Sequence, residues 1–237
     1  MDMKISGSGA VPAGEYGNIK ISGSGRLYGR VRCENFYASG SSKGETIECG
    51  GEFKISGSGC FLEDVKAGAV SVSGSFSCGG DITADGRIAC SGSLNCKRNI
   101  KCDIFSLSGS ASVAGDIEAE TVKASGVLNC TGLLNAEEVS IKFERGMEIG
   151  SIGGSRITVL RDRRVGSFFN LFSLGRCAGV VRVGAIEGDV IEIENVSAPV
   201  VTGRNVKIGS DCEIDLVQYS DEVEISHKAK VGRTEKV

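Results

Sequence analysis

Ile104-Phe105-Ser106-Leu107-Ser108-Gly109-Ser110-Ala111-Ser112-Val113-Ala114-Gly115-Asp116-Ile117-Glu118-Ala119-Glu120 is one unit of a repeat that runs through more than half of this chain. Phe105 and Leu107 stand two apart, as do Ile117 and Ala119. That is the spacing at which a strand turns successive side chains to the same face. The Ser-Gly dipeptide recurs outward in both directions. Its glycines are Gly7, Gly23, Gly40, Gly57, Gly74, Gly92, Gly109 and Gly126, at spacings of 16, 17, 17, 17, 18, 17 and 17. A period this regular is the signature of a stacked repeat.

The columns around each Gly are apolar. Four residues before it stand Met3, Ile19, Phe36, Phe53, Val70, Ile88, Phe105 and Val122. Two before stand Ile5, Ile21, Ala38, Ile55, Val72, Cys90, Leu107 and Ala124. Four after stand Val11, Leu27, Gly44, Phe61, Cys78, Cys96, Val113 and Cys130. A further pair follows, from Val31/Cys33 to Leu134/Ala136. Each turn therefore carries three short strands, with Gly, Asn and Asp expected at the corners for their tolerance of positive φ. The pattern predicts an all-β, single-stranded triangular β-helix of about 17 residues per turn, rising roughly 4.8 Å per turn.

Composition agrees. Glycine is abundant at 35 residues, yet no Gly-X-Y triplet runs through the chain, which excludes collagen. Apolar residues make up 41% and are periodically placed, which argues against disorder. With aromatics at 5% and no Trp, the core must be built from small side chains. A net charge of −3 gives no electrostatic case for a nucleic-acid partner. The N-terminal residues read as neither a signal peptide nor a membrane span, and ten cysteines without an export signal are expected to be reduced, in the cytoplasm. Cys78, Cys96 and Cys130 share one apolar column and Cys33, Cys49 and Cys102 another, so they read as core residues. No C-x2-C pair suggests a metal, and no cofactor is expected.

The organisation read from the pattern is 1–143 as regular β-helix, 144–179 as an irregular excursion in which Ile157-Thr158-Val159-Leu160 reads as a strand, and 180–237 as further β-helix turns. The alternative is two β domains joined by the middle segment. The excursion holds the Arg- and Phe-rich stretch Arg161, Arg163, Arg164, Phe168, Phe169, Leu171, Phe172, Leu174 and Arg176. It reads as a loop that meets an anionic membrane surface or a partner, or as a lid folded on the solenoid itself.

The strings Lys-Ile-Ser-Gly-Ser-Gly, Ala-Gly-Asp-Ile-Glu-Ala and Ile-Glu-Gly-Asp-Val-Ile-Glu-Ile resemble the bactofilins, bacterial polymer-forming cytoskeletal proteins. The resemblance covers nearly the whole chain and is most specific at 20–142 and 184–231. It implies a right-handed β-helix, end-to-end self-assembly into filaments without nucleotide, and scaffolding of envelope processes such as cell shape and motility. The partners it implies are the chain itself and, at the cytoplasmic membrane face, lipid or envelope proteins.

Open solenoid ends give assembly its own physical logic, since they leave backbone and core uncovered. The candidate end contacts are Met3, Ile5, Val223, Ile225 and Val231. Four other readings compete, the first being an envelope-associated binding module that does not polymerise. The Ser ladder from Ser6 to Ser125 could order water as an ice-binding face, although Lys4, Lys20, Lys54 and Lys123 interrupt it. His227, with the hexad-like run Val206, Cys212, Val217, Val223 and Ala229, is similar to a hexapeptide acyltransferase, against a plain surface histidine. Asp81, Asp103 and Asp116 would serve a β-helix lyase, against solvated corners.

Overall fold

A computed structural model describes residues 1–162 and 179–237. Within them every regular element is a strand, and all strand pairs are parallel and join one coil to the next. The chain is a β-solenoid of about 13 turns with roughly 17 residues per turn. One inward row can be followed from end to end through strand pairing. It runs Ile5, Ile21, Ala38, Ile55, Val72, Cys90, Leu107, Ala124, Ile141, Val159, Ile193, Ile208 and Ile225, one residue per coil.

In the repeat region each coil has three sides, for example Ala69–Val72, Ser75–Cys78 and Ile82–Ala84. Alternation on each side buries two residues, so six rows fill the core. Five are the apolar columns of the sequence. The sixth, two residues after the corner glycine, is Gly25, Ser42 and Gly59 in early coils and Phe76, Leu94, Ala111 and Leu128 later, all buried. The early glycines leave room for bulk from other sides. A Cβ on Gly44 would lie 2.7 Å from a Phe61 ring carbon, and one on Gly59 3.0 Å from the Phe76 ring. Into that space pack Phe36, Phe53, Phe61 and Phe76, with Phe36 and Phe53 stacked at 5.0 Å and Phe61 edge-on to Phe53 at 5.5 Å. Aromatic pairs in such geometry add to the stabilisation from burial itself.

The Ser-Gly corner needs glycine for a reason other than the expected one. Among the described residues positive φ falls on Gly14, Gly29, Asn195 and Asp211, and on none of the repeat glycines. A Cβ on Gly40, Gly57, Gly74, Gly92, Gly109 or Gly126 would instead run into the carbonyl oxygen of the corner glycine one coil earlier. That carbonyl accepts the next coil's serine N–H, as Gly57 does from Ser75 at 2.9 Å. The glycine ladder is a close-approach requirement.

A second corner is held by an Asp/Asn ladder. Oδ1 of Asp64, Asp81 and Asn99 accepts the backbone N–H of Asp81, Asn99 and Asp116, each at 2.9 Å, and Asp116 accepts that of Leu133 at 2.7 Å. Such side chains satisfy corner amides that the strand ladder leaves unpaired.

Residues 147–161, which the loosened pattern assigns to the irregular excursion, form a regular coil side pair, Met147–Arg161, with Met147, Ile149, Ile152, Ile157 and Val159 buried. The strand expected at 157–160 is present, and the pattern misses the rest because the corner reads Phe143-Glu144 and the register step lengthens to 19 between Cys130 and Ile149. Strand Met147–Arg161 pairs directly with Val181–Ile193. The stack therefore continues across the intervening segment. The segment leaves and returns at the place of the Ser-Gly corner: Asp162 N–H donates to the Phe143 carbonyl at 2.8 Å, and Gly179 abuts Arg145 and Gly146.

Candidate functional site

The described surface offers two kinds of site: the ends of the stack and the grooves along its sides. At the first end, strand Met3–Ile5 pairs with a neighbour only through Ile19–Ile21. Ile5 is 7% exposed and Met3 half-buried. Asp2 fastens this edge, because its carboxylate accepts the Asn18 N–H at 2.8 Å and the Asn18 side-chain amide at 3.3 Å. These bonds hold the Asp2 carboxyl below the usual carboxylate range.

At the other end, Glu213–Ile225 is covered by Lys230–Lys236 only as far as Tyr219. Its remaining residues carry an unpaired edge. Ile225, last member of the Ile5 row, is 39% exposed. Val223, Ala229 and Val231 are partly buried against the core. Met3 and Ile5 thus lie together at one end, and Val223, Ile225 and Val231 at the other. Arg163, Arg164, Phe168, Phe169, Leu171, Phe172 and Leu174 lie outside the described residues.

The third side of each coil is concave because its outer inward row is small: Cys33, Cys49, Ala67, Ala84, Cys102, Ala119 and Ala136, then Gly154, Gly188 and Gly203. One open groove of about 640 Å³ there is lined by Asp85, Asp103, Glu120 and Glu137 on one side and by Lys101 and Glu118 on the other. Lys101 pairs with Glu118 at 2.7 Å. Asp103 faces this groove, whereas Asp81 and Asp116 belong to the corner ladder, so the three candidate lyase residues do not converge. His227 is exposed in the turn between the last two strands.

The thiols are mostly unsuited to nucleophilic work at neutral pH. Burial pushes Cys78 and Cys102 up to about 12 and Cys130 up to about 11. In the Ser ladder, the Ser125 hydroxyl donates to the Leu107 carbonyl at 3.4 Å. Lys20, Lys54 and Lys123 stand exposed in the adjoining row.

No family model matches the chain, and no solved structure gives a significant match. Two proteins of Bacillus subtilis (strain 168) are similar to it. "Uncharacterized protein YhbE" is 35% identical over 109 residues, which is 45% of this chain and 44% of that one. "Uncharacterized protein YhbF" is 33% identical over 107 residues, 45% of this chain and 42% of that one. The chain thus matches less than half the length of either relative.

Proposed function

We propose that the chain is a non-enzymatic structural protein that assembles end to end into filaments without nucleotide and scaffolds processes at the cytoplasmic face of the cell envelope, as the likeness to bactofilins implies. The observation that carries the reading is the uninterrupted core row from Ile5 to Ile225, which ends 39% exposed on an unpaired parallel edge. An added copy continues the rows, seals the edge hydrogen bonds and removes Val223 and Ile225 from water. Full burial of such a side chain from water contributes about 1.5–3 kcal/mol, and docking adds the share that is still exposed, 39% at Ile225. Contact between unlike ends is open and yields a polar filament, and contact between like ends yields pairs that build an apolar one.

Ile225→Arg places a charge on the docking surface while leaving the buried rows unchanged. Sedimentation of wild type and this variant tests the reading. Wild type is expected in the pellet and the variant in the supernatant with an unchanged circular-dichroism spectrum. Equal pelleting of both removes end docking as the mode of assembly. Discrete trimers would favour an acyltransferase, whose sites lie between subunits.

A further inference from the structure

The cysteines differ in what their sulfurs face. Cys78 donates to the Glu63 carbonyl at 3.1 Å, Cys96 to the Gly80 carbonyl at 3.4 Å, and Cys130 to the Gly115 carbonyl at 3.2 Å. Cys33 and Cys49 face each other, Sγ to Sγ at 3.3 Å, and are the one such pair among the described residues. They are register partners on adjacent parallel strands. Adjacent strands lie about 4.8 Å apart, within the roughly 4.4–6.8 Å Cα separation that a disulfide spans. Both residues line an open groove of about 500 Å³ together with Arg32, Lys66 and Asp85 and are 7% and 5% exposed, so that groove is the side from which an oxidant approaches them. No function described above uses them.

We propose that Cys33 and Cys49 are a redox pair, which a low-molecular-weight disulfide oxidises to an intramolecular disulfide that staples the second coil to the third. One cysteine thiolate attacks a sulfur of the oxidant, forming a mixed disulfide and releasing one reduced thiol. The second cysteine loses its proton to solvent and attacks the protein sulfur of the mixed disulfide. The second oxidant thiolate leaves and takes up a proton. Two protein thiols are oxidised and one disulfide is reduced to two thiols. The pair sits one coil in from the open first end of the stack, so the covalent link resists unwinding that spreads inward from that end. The hydrogen bond shared with Cys33, with burial, favours the protonated Cys49 thiol and pushes it above its ordinary value, so oxidation quickens as pH rises.

The full chain is incubated with oxidised glutathione, its remaining thiols are blocked with N-ethylmaleimide in denaturant, and it is digested with trypsin without reduction. Cleavage at Lys43 puts the two cysteines on separate peptides. Mass spectrometry is expected to find those peptides linked, two hydrogens lighter than their sum, and separated again by dithiothreitol. Cys78 and Cys96, register partners that face carbonyls, stay reduced. Cys33→Ala, which installs the residue this row carries at Ala67 and Ala84, abolishes the link and keeps the fold. Recovery of Cys33 and Cys49 as maleimide adducts, as stable glutathione adducts, or paired with other cysteines overturns the proposal. The oxidised wild type should also melt at higher temperature than the reduced protein, with no such shift in Cys33→Ala. An unchanged midpoint on oxidation removes the stapling role.

Discussion

The coils before and after the excursion solve the same corner in different ways. Up to Gly126 the corner is Ser-Gly, and from Gly23 onward the carbonyls stack so closely that no Cβ fits. Beyond the excursion it is carried by Asn195 and Asp211, at φ 53° and 58°. Asn195 is 6% exposed, donates its N–H to the Ser210 carbonyl and accepts the Val181 N–H, both at 3.0 Å. The coil that holds Asn195 is 15 residues long, from Ile193 to Ile208, whereas the coil that holds Asp211 keeps the 17 of the repeat, from Ile208 to Ile225. The inward rows continue regardless. Coil length and corner chemistry are therefore free to vary, and what the fold conserves along its axis is the registered stack of apolar side chains.

If that is right, core truncation is the most damaging change on either side. Phe53→Ala, at the centre of the aromatic cluster, should cost about 3–5 kcal/mol in denaturant unfolding. The smaller Ile193→Val, on the other side, should cost about 0.5–1.5 kcal/mol. A loss at Phe53 no larger than at Ile193 would break the claim that the early coils rest on their aromatics.

The corners should separate next. Gly74→Ala drives a methyl into the Gly57 carbonyl and should cost about 2–3 kcal/mol. Asn195→Gly keeps the left-handed conformation open, although it removes the buried side chain, and should cost under about 1 kcal/mol. Asn195→Ala adds the left-handed penalty and should cost about 1–2 kcal/mol more than the glycine variant. Equal losses at Gly74→Ala and Asn195→Gly in thermal melts would mean that both corners need glycine for the same reason.

The smallest effect concerns acid. The Asp2 carboxyl, depressed by its bonds to Asn18, and Glu48, depressed by Arg30 and Arg32, both belong to the first coils. A depressed carboxylate stabilises the fold above its unfolded pKa, and that contribution is lost as pH falls through the lower folded value. Amide exchange at Asn18 should therefore accelerate below the usual carboxylate range before exchange at Val206 does. Simultaneous acceleration would place the acid sensitivity elsewhere.

Much of this was legible in the sequence. The Ser-Gly period located five of the six inward rows, because Ile, Val, Leu and Phe dominate them. The sixth was hidden, since in early coils it is spelled Gly25, Ser42 and Gly59, and only packing shows that Gly25 makes room for Ile21 and Gly59 for Ile55 and Phe76. The Asp/Asn ladder was hidden because Asp64, Asp81, Asn99 and Asp116 alternate in residue type and work through backbone amides. Of the coil at 147–161 only the strand at 157–160 was legible, because the step is longer and the Ser-Gly is missing. Met3, Ile5, Val223, Ile225 and Val231 were identified as end residues from row membership alone. Their unequal exposure, 7% at Ile5 against 39% at Ile225, depends on how the last strand stops short of the edge it leaves open.

Negative-stain microscopy of the purified chain with no nucleotide added tests the central claim most directly. End-to-end assembly predicts long unbranched filaments that Ile225→Arg converts to short single rods. Wild-type protein that stays as single rods or closed particles at every concentration examined would contradict it.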